Sequence, residues 1–153
     1  MDDPATLLRR GYRYAVALTG DPVDAEDLLQ EGWAAVLSAG DRRDAPYLYR
    51  AIRSRWIDRY RRARARPEVV LEPHEQAVSP EVDRLIEADA LWAGLLQLPE
   101  PQREALYLHL VEGWTAAEIA AQTGRPRNTV LSQLHRGRAH LRDWLATHLE
   151  EAG

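Results

Sequence analysis

The 153-residue chain contains no cysteine. Disulfides and thiolate metal sites are therefore excluded, and a reducing cytoplasm fits. It contains no lysine either, so all 20 basic residues are arginine. A GC-rich genome accounts for such a bias, but the consequence is physical: arginine forks onto phosphates and guanine edges better than lysine does. No apolar run approaches the ~20 residues needed to cross a bilayer. The start Met1-Asp2-Asp3 is acidic, which argues against a secretory signal. A cytoplasmic protein with no membrane insertion is expected. There is no Gly-rich phosphate loop, no HExxH spacing and no plausible nucleophile–base pair. His74, His109, His135, His140 and His148 are scattered, with no carboxylate cluster to match. Neither metal, cofactor nor enzymatic activity is expected.

What is present is a packable core and a segmented charge. Hydrophobic residues make up 45% and charged residues 29%, enough for one medium domain or two small ones with a well-solvated surface. The net charge of −4 averages over unlike blocks. Residues 1–40 carry three arginines against seven acids, −4 in all; residues 41–66 carry ten arginines against three aspartates, +7. Residues 67–102 carry one arginine against eight acids, −7, and residues 103–153 carry six of each sign. Separate blocks of this kind suit separate partners.

Apolar spacing is helical almost throughout, with no convincing period-two stretch and no internal repeat. A first helix is predicted over 4–18, ending near Thr19-Gly20. Asp21-Pro22 then reads as a cap followed by proline at the first helical position. In the second helix Leu29, Trp33, Val36 and Leu37 share one face, and Asp24, Asp27, Gln30 and Glu31 lie off it. Gly40 to Pro46 is a charged loop closed by proline. A third helix is predicted from about Tyr47 to Ala65, with Tyr49, Ile52, Trp56 and Tyr60 as its buried seam. Arg55, Arg59, Arg62 and Arg66 form a second stripe beside it. Pro67, Pro73 and Pro80, with acids between them, mark a linker. Ser79-Pro80 starts another helix with Leu85, Ile86, Trp92, Leu95 and Leu96 as buried candidates. A helix over 101–112 follows and stops at Gly113. The expected fold class is all-α: two small helical domains, 1–66 and 80–153, joined by an acidic linker at 67–79.

Trp114 to Leu145 carries the most information. Thr115-Ala-Ala-Glu118 is a capping box. Gly124 falls where a turn needs positive φ. Pro126 restarts a helix that Val130 and Leu134 dock on the one before. The layout is a helix-turn-helix, whose second helix enters the major groove. Its exposed face carries Arg127, Asn128, Thr129, Ser132, Gln133, His135 and Arg136, with Arg138 further along: donors and acceptors suited to base edges and phosphates. In 41–66 the arginines interleave with Tyr47, Tyr49, Trp56 and Tyr60, and so much like charge on one helix calls for a polyanion.

Together these segments resemble the extracytoplasmic-function (ECF) group of bacterial RNA polymerase sigma factors, over nearly the whole chain. The stretch from Leu18 to Glu31 resembles regions 2.1–2.2. Tyr47 to Arg53, Ile57-Asp58 and the arginine run resemble regions 2.3–2.4. Leu98 to Leu106 resembles the start of region 4, and Val130 to Arg138 its recognition helix. The resemblance implies core RNA polymerase as a partner, through its β′ clamp helices and β flap, with Asp24, Asp27, Gln30 and Glu31 on the clamp helices. It implies promoter DNA as the second partner. The loop Gly40–Pro46, with Arg42 and Arg43, would capture a flipped-out base of the minus-ten element, and Arg53, Arg55, Arg59 and Arg62 would grip the nearby backbone. The helix-turn-helix would read the minus-thirty-five element. An anti-sigma factor is a further partner the family admits.

This sequence departs from the family pattern in places. Leu131 stands where lysine or arginine is usual, Gln133 where arginine is, Ser54 where asparagine is, and Gly137 where alanine is. The glycine is expected to weaken the recognition helix by up to ~1 kcal/mol. The 38–46 connection is several residues short. Two other readings compete. A stand-alone helix-turn-helix regulator that binds operator DNA explains 101–145 but leaves the 18–66 motifs unused. A sigma-like decoy that binds only an anti-sigma factor suits Leu131 and Gln133 but not the arginine stripe.

Overall fold

A computed structural model describes residues 3–40, 43–64 and 90–151. Every element among them is a helix. The chain divides into two compact units, one ending at Ser79 and the other beginning at Pro80. The expected linker at 67–79, Leu85, Ile86, Arg42 and Arg66 all lie outside the described residues.

The first unit packs three helices, each against the other two: α1 (Pro4–Thr19), α2 (Pro22–Ser38) and α3 (Ala45–Arg64). Asp21 caps α2 as its sequence suggests, its carboxylate accepting from the Val23 N–H at 2.9 Å. Helix α3 starts two residues before the expected Tyr47. Asp44 is the reason: its Oδ1 accepts from the Tyr47 N–H at 2.9 Å and its carbonyl from the Leu48 N–H at 3.1 Å, which starts the helix at Ala45.

The core gathers Leu7, Tyr14, Leu18, Leu28, Leu48, Tyr49 and Ile52. Tyr14 and Tyr49 stack with ring centroids 4.4 Å apart. The buried face of α2 differs from the expected one. Ala25, Leu28, Gly32 and Val36 are buried, Leu29 and Trp33 are half-buried, and Leu37 is exposed. Small residues win this face because α2 and α3 approach closely. A Cβ on Gly32 would sit 2.7 Å from the Ile52 side chain and 3.3 Å from its backbone nitrogen. The α3 seam also fades toward its C-terminus. Tyr49 and Ile52 are fully buried, Trp56 is half-buried, and Tyr60 is 43% exposed. Trp56 and Tyr60 stack on each other instead, at 5.7 Å.

The second unit contains α4 (Ala90–Leu95), α5 (Glu100–Leu106), α6 (Ala116–Thr123) and the long α7 (Arg127–Glu151), which packs on all three others. Trp92 and Leu95 of α4 are buried as expected, while Leu96 is half-buried. The single helix expected over 101–112 is instead α5 followed by a π-helical turn, Tyr107–Val111. The wider turn shifts the helical phase. Leu106, Tyr107 and Leu108 are buried in succession, and Leu110 and Val111 are left exposed.

Gly137 is not a weak spot in α7. A Cβ there would lie 2.8 Å from Leu106 Cδ1 and 3.3 Å from Gln102 Cβ. The missing side chain lets α7 approach α5, so its helix-propensity cost is offset by packing.

Candidate polymerase and nucleic-acid interfaces

On α2, burial of Ala25, Leu28, Gly32 and Val36 turns Asp24, Asp27, Gln30 and Glu31 outward, and all four are exposed. They form one acidic, hydrogen-bonding face suited to a basic partner.

The arginines of α3 do not form one row. Arg43 and Arg62 are exposed; Arg53, Arg55 and Arg59 are half-buried. Arg55 donates to the Ala51 carbonyl at 3.1 Å. By the 3.6-residue repeat, Arg55, Arg59 and Arg62 share one side and Arg53 lies on the other. Arg59 follows Ile52 by seven residues and so returns to the side that faces α2. There it forms an ion pair with Glu31. One residue assigned to polymerase and one assigned to DNA are thus joined.

The helix-turn-helix is built as its motifs require. Thr115 and Glu118 cap each other reciprocally at 3.1 Å. Gly124 adopts φ 73° at the turn, where a side chain would be strained. Val130, Leu134, Gly137 and Leu141 are buried along α7. The opposite face presents Asn128, Ser132 and His135, flanked by Thr129 and Arg136, with Arg127 at the helix start; all six are exposed.

The other two expected readers sit on opposite flanks of α7. Gln133 is half-buried, and its Oε1 accepts from Arg125 at 3.4 Å. Arg138 is exposed but turned back toward His109, 2.7 Å away. Arg125 itself, in the turn of the motif, is structural. It pairs with fully buried Glu104 at 2.7 Å and lies 3.7 Å from Glu100. It thereby fastens the turn of the motif to α5. Nearby Arg103 is also buried. Desolvation lowers its pKa, opposed by the charges of Glu100 and Glu104, and the Leu98 carbonyl accepts from its guanidinium at 3.2 Å. Spacing alone gave no sign that a turn arginine would find a buried carboxylate about twenty residues earlier.

Residues 5–66 match the family described as Sigma-70 region 2, and residues 88–141 match Sigma-70, region 4. The ECF RNA polymerase sigma factor SigL of Mycobacterium tuberculosis is 35% identical over 150 residues, covering 88% of this chain and 80% of the relative. The chain belongs to the ECF RNA polymerase sigma factors. The ECF sigma factor SigE of Mycolicibacterium smegmatis is 35% identical over 93% of this chain, which spans only 60% of that relative's length. The sigma-E factor of Streptomyces avermitilis is 38% identical, covering 87% and 77%. Among solved structures, the sigma factor RpoE of Bartonella quintana, crystallised with the anti-sigma factor NepR, shares the fold. Its TM-score is 0.66 at 21% identity, with 93% of each chain covered. In this ECF sigma factor α1–α3 are region 2 and α4–α7 are region 4. Among the described residues no helix is long and apolar enough to cross a membrane.

Proposed function

We infer that this sigma factor binds core RNA polymerase and directs it to promoters, working in the cytoplasm without catalysis of its own. The observation that carries the reading is the outward face of α7. A helix docked through Val130 and Leu134 in a capped helix-turn-helix exposes Asn128, Thr129, Ser132, His135 and Arg136 together. That set suits base edges in a major groove, here the minus-thirty-five element.

The finer assignments are those the family resemblance implies, and the charge and exposure of these faces are compatible with them. The acidic α2 face takes the clamp helices of the β′ subunit, and the second unit takes the β flap. Arg43, in the loop before α3, meets the minus-ten element, and Arg55, Arg59 and Arg62 on one side of α3 meet the nearby backbone. Each grip alone is weak. Once polymerase fixes their separation, the second contact forms at high effective concentration.

The test is reconstitution. Purified chain mixed with core enzyme should co-elute with it and direct run-off transcription from a defined set of promoters. Failure to bind core, or binding with no promoter-specific transcript on any template, would overturn the proposal.

A further inference from the structure

Arg59, Arg125 and Arg138 are each held by a side chain from another helix or turn. Arg59 meets Glu31, and Arg125 meets Glu104; both partners are carboxylates and cancel the charge they hold. Arg138 is different. Its Nη2 lies 2.7 Å from Nε2 of His109, whose Nδ1 lies 2.8 Å from the Trp114 carbonyl. A carbonyl oxygen only accepts, so Nδ1 must carry the ring proton. A guanidinium only donates, so Nε2 must offer a lone pair. The neutral Nδ1–H tautomer alone satisfies both contacts. The imidazole therefore fixes the direction of Arg138 and leaves its positive charge intact.

The surroundings preserve that charge. Arg138 and His109 border an open hollow whose other lining residues are Thr115, Ala116, Leu131, Leu134 and His135, with no carboxylate among them. Thr115 and Ala116, at the N-terminal end of α6, line the same hollow, and the Glu118 carboxylate is engaged by the Thr115 N–H at 3.1 Å. Arg138 also stands on the α6-facing flank of α7, away from the outward row of Asn128, Ser132 and His135. A flank beside a groove-inserted helix faces the sugar–phosphate backbone rather than base edges.

On the sigma-factor reading above, we propose that His109 is a positioning residue that holds Arg138 as a phosphate clamp. Arg138 then adds affinity for DNA without base preference. The π-helical turn is part of the device. It places His109 at the edge of the hollow while its neighbours Leu106–Leu108 remain in the core.

The experiment uses the full chain bound to core polymerase and a promoter fragment selected with the wild type. Binding is titrated across salt concentrations and on fragments altered at single minus-thirty-five bases. R138A is expected to weaken binding to all fragments by the same factor and to lower the slope of log Kobs against log[salt] by about 0.9, the loss of one phosphate contact. H109A should do the same, and H109A/R138A should do no more than R138A. H109Q, whose amide oxygen can accept from Arg138, should keep the wild-type slope. A merely structural His109 would change thermal stability and leave the slope alone. An H109A slope equal to wild type would overturn the proposal. So would a base preference altered by R138A, which would make Arg138 a base reader. Should H109A fail to fold, R138A and H109Q still decide. Absence of promoter-specific binding by the wild type would instead remove the sigma-factor reading on which the clamp rests.

Discussion

Arg59 of α3 and Glu31 of α2 are ion-paired across the first unit, so the acidic face and the arginine-bearing helix meet at one contact. Both side chains keep solvent exposure, 38% and 46%. A pair so exposed contributes little to stability, less than about 1 kcal/mol. Its interest lies in what separates Glu31 from Asp27. Asp27→Arg should weaken binding to core polymerase and leave the fold unchanged. Glu31→Arg should weaken binding and also lower stability, because it sets a second guanidinium against Arg59. Core-binding affinity and urea denaturation of each variant check this. Unchanged core binding in both would remove the assignment of that face.

The close approach of α5 and α7 makes Gly137→Ala a test of packing against propensity. Alanine would gain up to about 1 kcal/mol as a helix former, but its methyl would meet Leu106. Overpacking typically costs about 1–3 kcal/mol. We expect a net loss of about 1 kcal/mol in denaturant unfolding, reduced when Leu106→Ala makes room. A stabilised Gly137→Ala would contradict the packing seen here.

Glu104 is fully buried and is paired with Arg125. Removing its charge takes from that guanidinium, and from the buried Arg103 beside it, a carboxylate that offsets them alongside Glu100. Glu104→Gln should destabilise the second unit by about 3 kcal/mol. Replacing both partners, Glu104→Leu with Arg125→Met, should recover most of that loss. Thermal unfolding compares the two. A neutral single variant would show that the pair does not hold the turn to α5.

The contrast between these regions shows what was legible in the sequence. Local signals came through. Asp21-Pro22, the Thr115–Glu118 capping box, Gly124 and the Val130–Leu134 pair each depend on residues within a few positions of one another, and each forms as read. The misjudged features depend on distant partners. The buried face of α2 is set by Gly32 against Ile52, a contact that amphipathic counting cannot weigh, because it favours large residues. Tyr60 continues a helical seam on paper, yet α3 outruns the core it packs against. The π turn at 107–111 has no residue signature that periodicity detects, so the phase after Leu106 was lost. On α7 the exposure of the six outward residues was legible, but the ties of Gln133 to Arg125 and of Arg138 to His109 were not.

Arg136 is exposed beside the outward row of α7. If it reads a base, Arg136→Ala should reduce promoter affinity by about 1–3 kcal/mol and relax preference at one position of the minus-thirty-five element. Competition binding with single-base variants measures both. An unchanged preference would move the reading face elsewhere.

Footprinting gives the most direct evidence on whether two helical units read DNA only when polymerase holds them apart. A selected promoter would be probed by hydroxyl radicals with the chain alone, with core enzyme alone and with the two together. The combination should protect two separate patches, near minus ten and minus thirty-five, that neither component protects alone. Equal protection by the isolated chain would contradict this and make it an operator-binding regulator; no protection beyond core enzyme would leave it without a promoter role.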